Sequence, residues 1–142
     1  MQTFLPYADY SKTAKVLDMK RLGKQRVETF QVLKALLLEN YGWKQHPAVK
    51  MWKGHTYELL AYQKAICNEW TSRGYKDTCL EKSIDIVKQH CHDLTTAAPS
   101  WLGNEALHLS HRSNLIRKAP DIYVPIFGED VPNDLEYVWP SV

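Results

Sequence analysis

The chain has 142 residues, 44% hydrophobic and 24% charged, with a formal net charge of +2 at pH 7, values ordinary for one globular domain. Its apolar runs are shorter than the roughly 18 residues that a membrane-spanning helix needs, and no charged and apolar leader opens it. The three cysteines, Cys67, Cys79 and Cys91, are too few for a disulfide framework and indicate a reducing compartment. We therefore expect a single domain over residues 1–142, located in the cytoplasm.

The small net charge conceals an uneven distribution of charge along the chain. Residues 12–53 contain ten Lys or Arg and three acidic residues, whereas residues 121–142 contain five acidic residues and no Lys or Arg. Such a split favours a surface that binds a polyanion. On charge alone, a solvated helix face explains the basic segment equally well.

The first predicted helix is long and covers residues 11–40. Ser11 is a suitable N-cap, and Asn40 followed by Gly42 is a stop signal. Apolar side chains recur within it at helical spacing, at Val16, Leu17, Val27, Phe30, Leu33 and Leu37. Gly23 costs such a helix about 1 kcal/mol relative to Ala, and it indicates a bend or a close approach by another part of the molecule.

Shorter helices follow the first one. They are predicted over residues 56–74, 80–94 and 104–120. Asn104 caps the last of them and Pro120 stops it. Gly and Pro predict a loop over 42–55, and three Pro predict an irregular tail over 121–142. The expected fold is an all-α, compact single-domain helical bundle with a long N-terminal helix and an irregular C-terminal tail.

Polar side chains form a ridge along the first predicted helix, opposite its apolar stripe. This polar ridge consists of Asp18, Arg21, Gln25 and Glu28, with Lys24 and Arg26 beside it and Lys20 close by. Arg and Lys bind phosphates, and a carboxylate in the same site can do acid/base work. The alternative is ion pairing along an exposed helix, between Asp18 and Arg21 and between Lys24 and Glu28.

Two other groups of residues were candidates for function. His90, Cys91 and His92 resemble a metal cluster, but a helix directs residues two apart away from each other, so we expect no metal site and no cofactor. The chain has no Walker loop, GxGxxG or GxSxG motif. The tryptophans are expected in or near the core, with base stacking as the alternative for one or two of Trp43, Trp52, Trp70 and Trp101.

Three stretches of the chain carry a resemblance to a known family. Arg26-Val27 lies at a characteristic distance from the start, and the later blocks are "HPAVKMWKGHTYELLAYQKAICNEWTSRGYKDT" and "EALHLSHRSNLIRKAPDIYVPIFG". Together they cover most of the chain. In these stretches the sequence resembles the phage endonuclease V type of pyrimidine-dimer DNA glycosylase, in a branch found in bacteria and phages.

The resemblance implies an all-α fold and a specific chemistry. In this family the N-terminal α-amine attacks C1′ of the damaged nucleotide, releases the base and forms a Schiff base, and β-elimination then cuts the strand. A Glu on the first helix supports that chemistry, and helix arginines hold phosphates. The resemblance, together with the basic segment, implies a nucleic-acid-binding set of Lys20, Arg21, Lys24, Gln25, Arg26, His55 and Tyr123.

Two positions depart from the family pattern. The family's catalytic Glu falls on Gly23, and Glu28 or Asp18 is the nearest carboxylate that can replace it. Gln2 stands where a small residue permits removal of the initiator Met in the phage enzyme, so the reacting amine is expected on Met1. The candidate catalytic residues are thus Met1, Glu28 and Asp18.

The expected function is that of a DNA glycosylase that removes a damaged or modified base of the pyrimidine-dimer type. It acts either through a Schiff base on the N-terminal amine, with abasic-site lyase activity, or through a carboxylate-activated water. The alternatives are a non-catalytic DNA-binding module on the same scaffold and an enzyme that acts on a small nucleotide. We expect a monomer whose partner is double-stranded DNA and not a membrane, associated with the nucleoid of a bacterial or phage-infected cell.

Overall fold

The computed structural model describes residues 1–93 and 95–140, and within them it contains seven helices and no strand. The expected all-α class is therefore confirmed. None of these helices is both long and apolar enough to cross a membrane. The helices are α1 (Tyr10–Val16), α2 (Met19–Leu37), α3 (Pro47–Lys50), α4 (Thr56–Ser72), α5 (Cys79–His90), α6 (Glu105–Lys118) and α7 (Pro120–Phe127).

The prediction of one continuous helix over 11–40 is wrong, because the chain breaks between α1 and α2. Leu17 and Asp18 are extended, with ψ angles of 133° and 160°. Asp18 caps α2 by accepting a hydrogen bond from the Arg21 N–H at 3.3 Å. A strong N-cap residue competes with helix continuation because its side chain satisfies an otherwise free N–H. Asp9, and not Ser11, caps α1.

The prediction of an irregular tail from residue 121 is also wrong in its first part. Pro120 begins α7 instead of only ending α6, and proline is well suited to the first helical position, where its missing N–H is not needed. The helix ends at Gly128, whose φ of 99° favours glycine. Asn104 caps α6 as predicted, by accepting from the Leu107 N–H at 3.3 Å. The short α3 lies within the segment predicted as a loop.

The N-terminal segment lies in the interior of the bundle. Residues 2–5 are all at least nine-tenths buried, although they form no regular secondary structure. The helix α2 packs against α4 and α5 beside this segment. Gln25, which is buried on α2, donates from Nε2 to the Gln2 carbonyl at 2.7 Å and accepts from the Phe4 N–H at 3.1 Å. One side chain therefore satisfies two backbone groups of a segment that has no neighbouring strand.

Two histidines of α6 bind the backbone N–H and C=O of Leu5 in the same segment. His111 Nδ1 accepts from the Leu5 N–H at 2.8 Å, and His108 Nδ1 lies 2.7 Å from the Leu5 carbonyl. Because His108 Nε2 accepts from the Gly103 N–H at 3.0 Å, its proton is on Nδ1 and is donated to Leu5. The Tyr62 hydroxyl donates to the Phe4 carbonyl at 2.6 Å. We call Gln25, Tyr62, His108 and His111 the N-terminal clamp.

Gly23 allows a close contact between α2 and α4. A Cβ atom at this position would lie 2.9 Å from Cη2 of Trp70. The indole of Trp70 is fixed on its other sides, because Tyr75 stacks on it with centroids 4.3 Å apart and the Arg26 guanidinium lies 4.3 Å from its ring centroid. The close approach that the sequence predicted at Gly23 is thus the approach of Trp70.

The first prediction concerns this contact. We expect Gly23→Ala to destabilise the wild-type protein by about 1 kcal/mol, because overpacking of about 1–3 kcal/mol outweighs the better helix propensity of Ala. In a Trp70→Leu background the same change should instead stabilise the protein. Urea unfolding of the four proteins measures both effects, and an equal effect of the same sign in the two backgrounds would contradict the contact.

The second prediction concerns the clamp histidine. Burial, together with the nearby His108, lowers the pKa of His111 to about 3, whereas an unfolded histidine titrates near 6.5. The unfolded chain therefore binds the additional proton first, and stability is lost as the pH falls below about 6.5 towards 3. Between pH 7.5 and 5.0 the loss of unfolding free energy should be about 2 kcal/mol smaller in His111→Asn than in wild type.

The matched control for this measurement is His90→Asn, since His90 is exposed at the end of α5. We expect this variant to keep the wild-type pH dependence in urea titrations at the two pH values. If His111→Asn loses as much stability on acidification as the wild type does, the buried neutral state of His111 is not what makes the protein acid-sensitive.

Candidate active site

A cavity of about 340 Å³ opens where the N-terminal segment meets α2 and the end of α6. The clamp holds the backbone of residues 2, 4 and 5, and this fixes the position of residue 1 at the edge of the cavity. The N-terminal segment contributes Met1, Gln2 and Phe4, the helix α2 contributes Lys20, Arg21, Lys24 and Glu28, and the C-terminal part contributes Lys118 and Tyr137.

The cationic lining of the cavity follows from the spacing of residues on α2. Lys20, Lys24 and Glu28 are four residues apart, so they lie along one face of the helix. Arg21 is next to Lys20, and Lys118 adds a fourth cation from the end of α6. These four cations and one carboxylate, Glu28, line the same cavity. Such a cavity attracts a polyanion, and it places a carboxylate inside the resulting site.

Glu28 lines the cavity and acts electrostatically on two tyrosines, Tyr62 in the core and Tyr137 in the cavity wall. Its side chain is 18% exposed, and its Oε1 is 4.0 Å from the Lys24 ammonium. Burial and the negative charge of Glu28 raise the pKa of Tyr62, and burial raises the pKa of Tyr137, to which Glu28 adds. Both hydroxyls therefore remain protonated at neutral pH. Glu28 is a half-buried carboxylate that keeps access to the cavity.

Asp18, the second candidate carboxylate, lies outside the cavity lining. Its carboxylate accepts from the Arg21 N–H, from the Arg21 guanidinium at 3.1 Å and from the Tyr123 hydroxyl. Burial alone would raise the pKa of Asp18, but these hydrogen bonds outweigh it and lower the pKa. Asp18 is thus occupied by helix capping and by the contact between α2 and α7.

Arg26 belongs to a different face of α2 from the cavity. Its guanidinium donates to Asp77 at 2.5 Å and lies over the ring of Trp70. Asp77 caps the start of α5, by accepting from the N–H groups of Cys79 and Leu80 at 3.1 and 3.0 Å. Burial alone would raise the pKa of Asp77, but hydrogen bonds from Leu80, Arg26 and Cys79 lower it. Arg26 therefore joins α2 to α5.

The other three residues of the predicted nucleic-acid-binding set do not line the cavity either. Gln25 is 1% exposed and belongs to the clamp. Tyr123 is fully buried in α7, and its hydroxyl bonds to Asp18. His55 directly precedes α4, and its Nδ1 is buried without a hydrogen-bond partner among the residues that the structure describes. The structure thus brings together Met1, Lys20, Arg21, Lys24 and Glu28 from the predicted residues.

Two residues of the cavity lining, Lys118 and Tyr137, are not predicted from the sequence. Lys118 is the last residue of α6, and Tyr137 lies in the non-helical segment after α7. The Asn114 amide and the Arg117 guanidinium hold that segment by donating to the Leu135 carbonyl, each at 3.0 Å. The acidic character of the tail gave no signal for this role, because Tyr137 reaches the cavity through packing and not through charge.

The candidate metal residues are not grouped. In residues 1–93 and 95–140, no three His, Cys, Asp or Glu side chains lie together so that they could hold a metal ion. His90 is at the end of α5, and Cys91 donates through its thiol to the Asp93 carbonyl at 3.6 Å.

Comparison with known proteins identifies the family. A family model described as pyrimidine dimer DNA glycosylase matches residues 1–83, more than half of the 142 residues. No curated protein and no solved structure matches the chain. The matched region includes Met1 and all four cavity residues of α2, whereas Lys118 and Tyr137 lie beyond it. The chain belongs to the pyrimidine dimer DNA glycosylase family, whose members are DNA-repair enzymes that remove a base from DNA.

Proposed function

We propose that the protein removes a damaged base of the pyrimidine-dimer type from double-stranded DNA and then cuts the strand at the abasic site. In this proposal the α-amine of Met1 is the nucleophile and Glu28 is the catalytic carboxylate. The observation that carries it is their position: Met1 and Glu28 line one cavity, together with Lys20, Arg21, Lys24 and Lys118. A nucleophilic amine, a carboxylate and a phosphate-binding rim are what amine-based glycosylase chemistry requires.

The proposed reaction begins when the neutral amine of Met1 attacks C1′ of the target nucleotide. The bond between C1′ and the base breaks, and the base keeps the electron pair and takes up a proton while it stays joined to the other base of the dimer. The sugar then opens at O4′, which yields a Schiff base between C1′ and the amine. Loss of a proton from C2′ expels the 3′ phosphate and cuts the strand. Glu28 stabilises the positive charge that develops on the sugar and transfers protons within the cavity.

The proposal assigns the carboxylate role to Glu28 and not to Asp18. Asp18 already accepts three hydrogen bonds, one of which caps α2. A catalytic role would break these bonds and destabilise the start of the helix. Glu28 has one cationic neighbour at 4.0 Å and remains in the cavity wall. Glu28 therefore has the freedom that proton transfer needs.

The arrangement around Gly23 gives a reason for the missing family Glu. Position 23 faces Trp70, so a side chain there would meet the indole and would not enter the cavity. The next carboxylate along the correct face of α2 is Glu28, four residues after Lys24. The carboxylate of this chain would thus enter the cavity from Glu28 and not from position 23.

The C-terminal part of the chain belongs to the proposed site. Lys118 and Tyr137 line the cavity although they lie beyond the region matched to the family. We therefore propose that residues 1–142 act as one domain and one monomer. The four cations hold the phosphates on either side of a nucleotide that is turned out of the duplex.

The third prediction tests the two carboxylates against each other. We expect Glu28→Gln to slow cleavage of the glycosidic bond in dimer-containing duplex DNA by about 10²–10⁴-fold, as is typical when an acid/base group is lost. Asp18→Asn should keep most of the activity, because Asn caps helices as well as Asp does. The wild type should also form a covalent adduct with abasic-site DNA when borohydride is present.

Peptide mapping of that adduct and intact mass of the free protein complete the experiment. The adduct should be on Met1, and the mass should show a free Met1 amine. Base release without an adduct would indicate a carboxylate-activated water instead of the amine. Unchanged DNA after long incubation would favour a non-catalytic DNA-binding module, and activity on free nucleotides alone would favour a small-nucleotide enzyme.

The fourth prediction concerns phosphate contacts. Lys118→Gln should lower DNA affinity and reduce the slope of log affinity against log salt by about 0.9, because each neutralised phosphate releases condensed counterions. Lys88→Gln is the control, since Lys88 is exposed on α5 and lies on another cavity, beside Asp85. An equal salt slope in wild type and Lys118→Gln would show that Lys118 contacts no DNA phosphate.

A further inference from the structure

One tryptophan is placed unlike the others. Trp52 and Trp101 are buried in the core, and Trp70 packs between α2 and Tyr75. Trp43, in the loop between α2 and α3, is 61% exposed, the largest value for a big hydrophobic side chain in the described part of the protein. An exposed indole forgoes the free energy that burial of its apolar surface would provide, so core packing does not account for the position of Trp43.

The backbone at Trp43 is also unusual. Its φ of 70° makes it the one non-glycine residue with positive φ in residues 1–93 and 95–140. This left-handed conformation costs a side-chain-bearing residue about 1–2 kcal/mol. The loop around it is nevertheless held, because the His46 N–H donates to the Trp43 carbonyl at 2.9 Å and Lys44 donates to the carbonyls of Ala35 and Leu38. The indole is presented to solvent from a fixed loop.

A row of rings connects Trp43 to the cavity. The Trp43 and His46 centroids are 6.1 Å apart, those of His46 and Trp139 are 6.2 Å apart, and those of Trp139 and Tyr137 are 5.8 Å apart. Tyr137 lines the cavity that contains Met1. We call Trp43, His46, Trp139 and Tyr137 the aromatic row.

His46, in the middle of the aromatic row, lies within electrostatic range of the Met1 amine. Burial lowers the pKa of His46, and the positive charge of the Met1 amine lowers it further. The His46 Nδ1 accepts from the Ala48 N–H at 3.0 Å, which requires the unprotonated form of that nitrogen. His46 is thus a neutral ring that packs between Trp43 and Trp139.

The cavity is therefore lined by cations from α2 and α6 and, at Tyr137, by one end of the aromatic row. Lys20, Arg21 and Lys24 border it on α2 and Lys118 on α6, while the aromatic row leads away from it at Tyr137. Proteins that hold unpaired nucleotides combine a cationic groove for the phosphates with aromatic rings for the bases. We propose that Trp43 stacks on a nucleobase next to the reacting nucleotide, so that the aromatic row is the base-binding wall of the site. This inference rests on the proposed function and adds a residue that holds a base beside the nucleotide that is turned out of the duplex.

The test uses a duplex that contains a tetrahydrofuran abasic analogue, which cannot react, with 2-aminopurine at the neighbouring position. Stacking on an aromatic side chain contributes about 1–3 kcal/mol per base, so Trp43→Ala should weaken binding about 5- to 100-fold. Trp43→Phe should recover most of the affinity. The 2-aminopurine fluorescence should be quenched in the wild-type complex and remain bright in saturated Trp43→Ala.

Two readouts separate stacking from a structural role. The salt slope should be unchanged in Trp43→Ala, because an indole neutralises no phosphate. The control is Tyr57→Ala, which removes another exposed aromatic, on α4, and should bind like wild type. Unfolding in urea shows whether Trp43→Ala keeps its fold, and Trp43→Phe provides the second variant if it does not.

The outcomes distinguish this inference from the proposed function. If wild type forms the borohydride adduct and Trp43→Ala binds as tightly with equal quenching, the stacking role of Trp43 is overturned while the proposed function stands. If wild type neither reacts with nor prefers abasic DNA, the proposed function fails and this inference fails with it. A wild-type dimer that Trp43→Ala converts to a monomer, without loss of DNA affinity, would assign the indole to self-association instead.

Discussion

The structure depends on how the N-terminal segment is buried. An extended chain in a helical bundle has no neighbouring strand to satisfy its N–H and C=O groups, and each unpaired group would cost about 1–3 kcal/mol. Gln25, Tyr62, His108 and His111 supply those partners from three helices, α2, α4 and α6. The bundle is therefore built around the segment, and residue 1 is fixed as a consequence.

The same constraint explains the two faces of α2. Gln25 points inward to the N-terminal segment, and Gly23 admits Trp70 from α4. Lys20, Lys24 and Glu28 then face the cavity at intervals of one turn. The helix thus binds the N-terminal segment through Gln25, and it lines the cavity beside Met1 with Lys20, Lys24 and Glu28. Rigid placement of this kind is what a nucleophile and its carboxylate need.

Much of the fold could be predicted, because the long helices have clear periodicity and Asn104 is a clear cap. The break at Asp18 could not, since the helical pattern continues across it and Tyr123, 105 residues away, bonds to it. The helix α7 was missed because Pro120 signals a stop and a start equally well. Helical spacing put Arg21 and Glu28 on one ridge of the first helix with Lys24 beside it, but it put Asp18 and Gln25 on the same ridge, and neither lines the cavity. Met1 as a nucleophile is what the family resemblance implies.

Three residues that the sequence assigned to DNA binding lie outside the cavity, and one physical reason accounts for all three. Gln25, Arg26 and Tyr123 are polar or amphipathic, so sequence patterns assign them to the surface and to a ligand. In the structure each has a partner in the protein: backbone groups for Gln25, Asp77 for Arg26 and Asp18 for Tyr123. Which polar residues face inward depends on partners that are far apart in sequence. Buried polar residues are therefore the ones that a single sequence places least well.

The burial of Gln2 connects the clamp to the chemistry. Gln2 is 7% exposed, its side chain accepts from the Thr3 N–H at 2.8 Å, and its carbonyl is held by Gln25. An α-amine on Gln2 would exist only after removal of Met1, and the side-chain amide of Gln2 could then close a ring on it. An amine on Met1 is one residue further out, at the cavity edge beside Tyr137 and the α2 cations. A large polar residue at position 2, which departs from the family pattern, is thus consistent with a nucleophile that has moved outward by one residue. In the proposed function the carboxylate lies further along the chain as well, at Glu28 in place of position 23.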